Sequence, residues 1–375
     1  MLNVAIVGAG NITQSEHLPN WLRLPHTHVV GIADTRLELA RQVGQAYGID
    51  WFGSLGQLLA AQATPVDIVH IASGPATHLD LIRQAVAAGA HVQVEKPLAE
   101  SATDAVQAVE IARRAGVILG VGYQKEADAD LAHVEGLIRT GQMGGLMGLH
   151  SVFRISQPPL YRRVASFERT PFLPGADQTE ESVPHSRELH LRMLDQTIHH
   201  LNVFNRWLGE PIEIVAVARG GPLWSITGRT GRTVVSHINA AASGHGEEFW
   251  AYFEHASVHV KVWSPHFPAT VGEVEVFPSG GDRVYRPFTA KRNPYLLMLE
   301  RFVRQVEEHE PWEPSALTAV EDLRLVQRIE QSWADGRPDG TGRATPADQT
   351  ASPNHPHGAR DAAGQGLPTE GGQDR

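Results

Sequence analysis

Residues 91–101, HVQVEKPLAES, decide how the first part of this chain is read. His91, Val92, Gln93 and Val94 have the makeup of a buried strand, and Pro97 cannot donate to a sheet ladder. Between them stand Glu95 and Lys96. Two readings fit the pair. Either the strand reaches the surface there, where charge costs little, or it ends in the crevice where open α/β sheets bind ligands and Lys96 is aimed at one.

The flanking sequence supplies the rest of such a sheet. NVAIVG (3–8), HVVGIAD (28–34), VDIVHIA (66–72) and VILGVGY (117–123) read as further strands, with helical stretches between them. The clearest helix is 78–88, where Leu79, Ile82, Ala85 and Val86 recur at helical spacing and Gly89 stops the run. Apolar strands alternating with helices predict a doubly wound parallel sheet covered on both faces, here over residues 1–122.

After residue 123 the rhythm changes. One helical segment precedes GLHSVFRIS (148–156), IEIVAVARG (212–220), TVVSHINA (233–240), SVHVKVW (257–263) and EVEVF (273–277). Strands in succession predict an α+β domain over 123–335, with a mostly antiparallel sheet open on one face. A long insertion, 157–189, separates its first two strands, and a helix is expected over about 190–208. Two closing helical stretches, 295–310 and 315–333, are expected to pack back on the first domain. Beyond Asp335, residues 336–375 are Gly, Pro and polar residues with Leu367 as the one large apolar side chain, which predicts a disordered tail.

Composition narrows the partners. The 375 residues carry a net charge of −10 and no cysteine. No basic cluster offers a surface to nucleic acid or anionic lipid, and no run approaches the roughly 20 apolar residues of a membrane span. The apolar start at residue 2 lacks a basic leader. A cytoplasmic protein with a small-molecule partner is the expectation.

Four constellations carry chemistry. In VAIVGAGNIT (4–13), Gly8 permits a tight turn after a strand and Gly10 lets backbone approach a pyrophosphate at a helix N-terminus; Thr13 stands where a third small residue is usual. Asp34 ends the second strand where a ribose diol would meet a carboxylate, which favours NAD. Arg36 could instead stack on adenine or meet a 2′-phosphate, so NADP stays open. Ser73, Gly74 and His78 form a polar turn before a helix, readable as cofactor contacts or as an ordinary capping loop. On the later helix, Asp195, His199, Asn202 and Arg206 fall at i, i+4, i+7 and i+11 beside an apolar stripe. That line is either a site or a solvated flank, with His200 and Asn205 as filler. His185, His190, His199 and His200 lie near Glu188 and Asp195 but show no fixed metal-binding spacing, so no metal is expected.

In order and spacing, VAIVGAGNIT, GIADTR, IASGPATH and AGAHVQVEKPLAES resemble the Gfo/Idh/MocA oxidoreductases over residues 1 to about 335, Glu95-Lys96-Pro97 being the most specific mark. The resemblance implies a Rossmann domain, a Lys96 beside the nicotinamide on a peptide that is often cis at the proline, and a homo-oligomer, dimer or tetramer, formed through the open sheet face. It matches Asp195 and His199 to the family's Asp and His four residues apart. The expected cofactor contacts are then Gly8, Gly10, Asn11, Ile12, Asp34, Arg36, Ser73, Gly74, His78, Glu95, Lys96 and Gln124, and the expected catalytic residues Lys96, Asp195 and His199. His199 would serve as base, an ordinary imidazole titrating near about 6.5. The implied activity is NAD(P)-dependent oxidation of a secondary alcohol on a sugar, inositol or sugar derivative, or the reverse. An NAD-dependent glycoside hydrolase and a non-catalytic sugar or dinucleotide sensor are the alternatives. RELHLRML (187–194), Thr197 and GYQKEADAD (122–130) depart from the family pattern, which points to a rebuilt substrate pocket.

Overall fold

The computed structural model describes residues 1–154, 190, 193–220, 223–240, 246–262, 272–281, 283–287, 289, 292–309 and 315–336. All of the insertion, with its His185 and Glu188, and all of the tail beyond Gly336 lie outside these residues. Met1–Pro338 form one compact unit.

The first sheet contains β1 (Leu2–Val7), β2 (Thr27–Ala33), β3 (Trp51–Phe52), β4 (Ile68–Ile71), β5 (His91–Val94) and β6 (Leu119–Val121) in the order β3-β2-β1-β4-β5-β6. Every pairing is parallel. The chain reverses direction of travel across the sheet between β1 and β4, so the ends of these two strands flank the crevice where such sheets take ligands. A Thr13–His17 π-helical turn leads into α1 (Leu18–Trp21), followed by α2 (Leu37–Tyr47), α3 (Leu55–Ala61), α4 (His78–Ala87) and α5 (Ala102–Ala115). Ser101 caps α5 by accepting from the Asp104 N–H, and Gly116 ends it in the left-handed conformation.

α6 (Ala129–Thr140) leads to the second sheet: β7 (Leu146–Arg154), β8 (Glu213–Gly220), β9 (Leu223–Thr230), β10 (Thr233–Ala240), β11 (Gly246–Phe253), β12 (Ala256–Val262) and β13 (Glu273–Pro278). Their order is β13-β12-β11-β7-β10-β9-β8, antiparallel except for β7 with β10. A Met193–Thr197 π-helical turn continues into α7 (Ile198–Leu208), whose Phe204 and Trp207 meet Phe249 at ring-centroid distances of 6.4 and 5.9 Å. On the sheet's other face Trp250 stacks on His259 at 4.0 Å, flanked by Tyr252 and Phe277.

Two helices close the fold, α8 (Pro294–Glu308) and α9 (Ser315–Asp335). α8 lies on the first sheet, where its buried Leu299 and Phe302 join Val4, Ile6, Trp21 and Ile32 in one apolar cluster. Each such side chain contributes roughly 1.5–3 kcal/mol. α9 packs against α5 and α7.

One core residue makes a test. His70 on β4 is 1 % exposed, neither ring nitrogen has a hydrogen-bond partner, and burial pushes its pKa well below the usual imidazole value. The unfolded chain therefore binds a proton there that the folded chain refuses. Below an unfolded value of about 6.5 this costs stability, by up to about 1.4 kcal/mol per pH unit, and above it the cost disappears. His70→Leu is expected to gain more over wild type at pH 5.5 than at pH 7.5 in urea titrations. An equal difference at both values would contradict the burial of a neutral imidazole.

Candidate active site

The parallel strands deliver their C-terminal ends to one crevice. Gly8 follows β1 with φ +98°, and a Cβ there would lie 2.3 Å from the Ala72 carbonyl oxygen at the end of β4. Only glycine allows this close approach. Thr13 fills the place of a third small residue, its hydroxyl donating to the Gly8 carbonyl at 2.7 Å. Gly10 differs: no atom lies within 4 Å of where its Cβ would stand, so nothing inside the protein requires a glycine there. The Asn11 Oδ1, in the turn after Gly10, and the Gln124 Oε1, in the turn after β6, are buried without partners. Open space at Gly10, with the unpaired amide oxygen of Asn11 beside it, suits a dinucleotide. Ile12 sits partly buried in the same turn.

Asp34 is buried just beyond β2. It accepts from the Ala9 N–H at 2.8 Å and from the Arg36 guanidinium at 3.0 and 2.9 Å. Burial alone would raise its carboxyl pKa, but Arg36 and the Ala9 N–H hold it below the ordinary value. Ser73 and Gly74 form the turn after β4, with the Ser73 and Thr77 hydroxyls 2.8 Å apart.

Two expected cofactor contacts turn inward instead. Glu95 is buried, its Oε1 accepting from His17 Nε2 at 2.7 Å and its Oε2 from the Lys96 N–H at 3.1 Å. His78 is buried with Nδ1 2.9 Å from the Pro97 carbonyl and Nε2 3.0 Å from that of Ser73. Burial lowers its pKa, and a neutral ring donates to only one of them.

Lys96 itself points out of the strand end. The Lys96–Pro97 peptide is cis. Its ammonium donates to the Asp195 carbonyl oxygen at 2.8 Å and reaches the Asp195 carboxylate at 3.4 Å. Asp195 is exposed, whereas the Lys96 side chain is only 15 % exposed. His199 lies one turn further on, partly buried, with Nδ1 unpartnered and its ring edge-on to Tyr123 at 6.5 Å. Burial first, then Lys96 and Lys125, push its pKa well below the ordinary imidazole value. Burial and the two ammonium groups thus favour the neutral ring over the titration near neutrality that an ordinary imidazole would show.

The polar line on the helix divides. Asp195 belongs to the π-helical turn, whose wider winding breaks the regular spacing, and only Asp195 and His199 reach Lys96's surroundings. Asn202 donates instead to Glu126 and to the buried Asp322, and Arg206 pairs with Glu126 and Glu135. Nor are the supposed fillers idle. Asn205 donates to Asp322, and His200 is fully buried, its Nε2 donating to Glu247 at 2.9 Å, where Glu247 also pairs with the buried Lys125. His190 is bound to Glu330 at 2.7 Å. Among the described residues no group of three or more His, Asp or Glu is arranged to hold a metal.

Residues 2–123 match the profile of the Gfo/Idh/MocA group, an oxidoreductase family with an NAD-binding Rossmann fold. A dTDP-3,4-didehydro-2,6-dideoxy-alpha-D-glucose 3-reductase of Streptomyces violaceoruber is 29% identical over 158 residues, 42% of this chain and 45% of that protein. Inositol 2-dehydrogenase 4 of Saccharopolyspora erythraea is 28% identical over 197 residues, 50% of this chain and 58% of its own. The chain thus spans about half the length of these curated relatives. Among solved structures, the 3-ketoreductase KijD10 of Actinomadura kijaniata superposes over 88% of this chain and 97% of its own with a TM-score of 0.70 at 18% identity, a likeness of fold.

Proposed function

We infer, from the match of residues 2–123 to an oxidoreductase family with an NAD-binding Rossmann fold, that the whole chain is an NAD(P)-dependent oxidoreductase. Its substrate is a secondary alcohol of a sugar, inositol or sugar derivative, or the corresponding ketone. The observation that carries this reading is Lys96, which follows β5 at the C-terminal edge of the parallel sheet and whose ammonium meets Asp195. The names of the relatives, a dTDP-sugar 3-reductase and an inositol dehydrogenase, support the substrate class. No observation among the described residues favours the hydrolase or the sensor.

When bound, the dinucleotide supplies the two-electron acceptor or donor. The chain supplies the rest. Lys96 donates to the reacting oxygen and stabilises the negative charge that grows on it, an effect that is strongest in a water-poor cleft. His199, whose neutral form is favoured, would take the hydroxyl proton. Asp195, exposed on the same rim, receives a neighbouring hydroxyl. The row of Trp250, Tyr252 and Phe277, with Tyr252 40% exposed, supports a homo-oligomer formed through that sheet face. The test is a screen of inositols, aldoses and their uronic, amino and nucleotide-linked derivatives with NAD and with NADP, followed at the absorbance of the reduced cofactor. Silence across the whole set would remove the reading.

The Asp34–Arg36 pair gives a sharper expectation. With Arg36 bound to it, Asp34 is partly neutralised and engaged. Arg36→Ala leaves the carboxylate free to accept a ribose diol and to repel a 2′-phosphate. The NADP-to-NAD ratio of dissociation constants is expected to rise about tenfold or more, one charge contact being worth over 1 kcal/mol. An unchanged ratio would remove Arg36 from cofactor choice.

A further inference from the structure

Lys96 stands on a short segment, and a lysine that must meet a reacting oxygen needs its backbone held to within fractions of an ångström. Two buried histidines on different elements reach that segment from opposite ends. From the turn that follows the Gly8–Gly10 loop, His17 donates to Glu95, which accepts in turn from the Lys96 N–H. From the start of α4, His78 places one ring nitrogen against the Pro97 carbonyl and the other against the Ser73 carbonyl. The packing leaves no slack around Glu95, since a Cβ on Gly122 would lie 2.9 Å from its Oε1.

We propose that His17, Glu95 and His78 are positioning residues that clasp the Lys96 backbone, and that His17 and Glu95 couple it to the turn that receives the dinucleotide. The proposal rests on the oxidoreductase reading for its catalytic meaning, and it replaces the expectation that Glu95 and His78 touch cofactor. Glu95 spends one carboxylate oxygen on each side of the junction, so a change at His17 must be felt at the Lys96 N–H, which His17 does not touch. The chemistry asks for a carboxylate here because it accepts from two donors at once and offers none of its own.

Hydrogen exchange at the Lys96 amide of the full chain tests the clasp without any substrate. In His17→Leu that amide is expected to exchange at least about tenfold faster, while amides of α5 keep their wild-type rates, as for a local rather than a global opening. His17→Gln, which can still donate to Glu95, should restore most of the protection. Should His17→Leu not fold, Glu95→Met serves, because it keeps much of the volume and loses both acceptors. The same rise of about tenfold is expected. Unchanged Lys96 exchange in the folded variant overturns the clasp. The catalytic arm is separate: kcat should fall about tenfold or more in His17→Leu with the dinucleotide Kd within about twofold, the pattern of lost positioning rather than lost binding. Equal losses in binding and turnover would assign His17 to the cofactor site instead. If wild-type protein neither binds dinucleotide nor turns over any substrate, the functional reading fails and the exchange result still decides the clasp.

Discussion

Lys96→Met is expected to lower kcat on the substrate found by the screen by on the order of a hundredfold or more, while dinucleotide binding and melting temperature stay close to wild type. The substitution keeps the length and apolar stem of the side chain and removes only the ammonium. In the resting protein that ammonium donates to the Asp195 carbonyl and lies near an exposed carboxylate, contacts worth about 1 kcal/mol or less to folding. Its electrostatic value appears when charge develops on a reacting oxygen. His199→Ala should be comparably damaging, and the double variant much less than additively worse, because the two groups serve one proton and one hydride event. Full turnover in Lys96→Met would return Glu95-Lys96-Pro97 to the other reading of the opening stretch, a charged strand end with nothing to do.

The second large effect concerns glycines two residues apart with opposite reasons for being glycine. Gly8→Ala forces a Cβ to within 2.3 Å of the Ala72 oxygen at φ +98°. The backbone conformation alone costs on the order of 1–3 kcal/mol, and the collision with a rigid strand end adds to it, so a loss of at least about 3 kcal/mol is expected in denaturant titrations. Gly10→Ala meets open space and should leave stability within about 0.5 kcal/mol of wild type, yet weaken dinucleotide binding about tenfold or more by intruding on the pyrophosphate. Equal stabilities for Gly8→Ala and wild type would contradict the packing of β1 against β4. Unaltered dinucleotide affinity in Gly10→Ala would remove the phosphate from that turn.

Much of this arrangement was legible in the sequence because buried parallel strands announce themselves as short β-branched runs. β1, β2, β4, β5 and β6 were all readable that way. β3 was not: two residues, Trp51 and Phe52, carry no period. β9 and β11 were missed for different reasons. LWSITGRT has a glycine and a polar end, and GEEFWAYF opens on two glutamates, which look like loop until Glu247 is seen buried against Lys125 and His200. The same blindness affected the site. Spacing could put Asp195 and His199 on one helix but could not know that Asn202 and Arg206 face carboxylates from α6, α9 and the turn after β6. A carboxylate beside a lysine looks like a site residue in sequence. Its partner His17 lies far away along the chain, so the inward turn of Glu95 had no local signal.

The return of α8 to the first sheet has a consequence for how the chain comes into being. Val4, Ile6 and Ile32 are synthesised long before the Leu299 and Phe302 that cover them. While the intervening chain is made, the nascent sheet carries a bare apolar flank, open to chaperone holdases and to aggregation with neighbouring chains. A ribosome stalled between α7 and α8 would display a dinucleotide fold still lacking its lid of leucine and phenylalanine, so a gene fragment cut at the end of the first sheet inherits that exposed flank permanently.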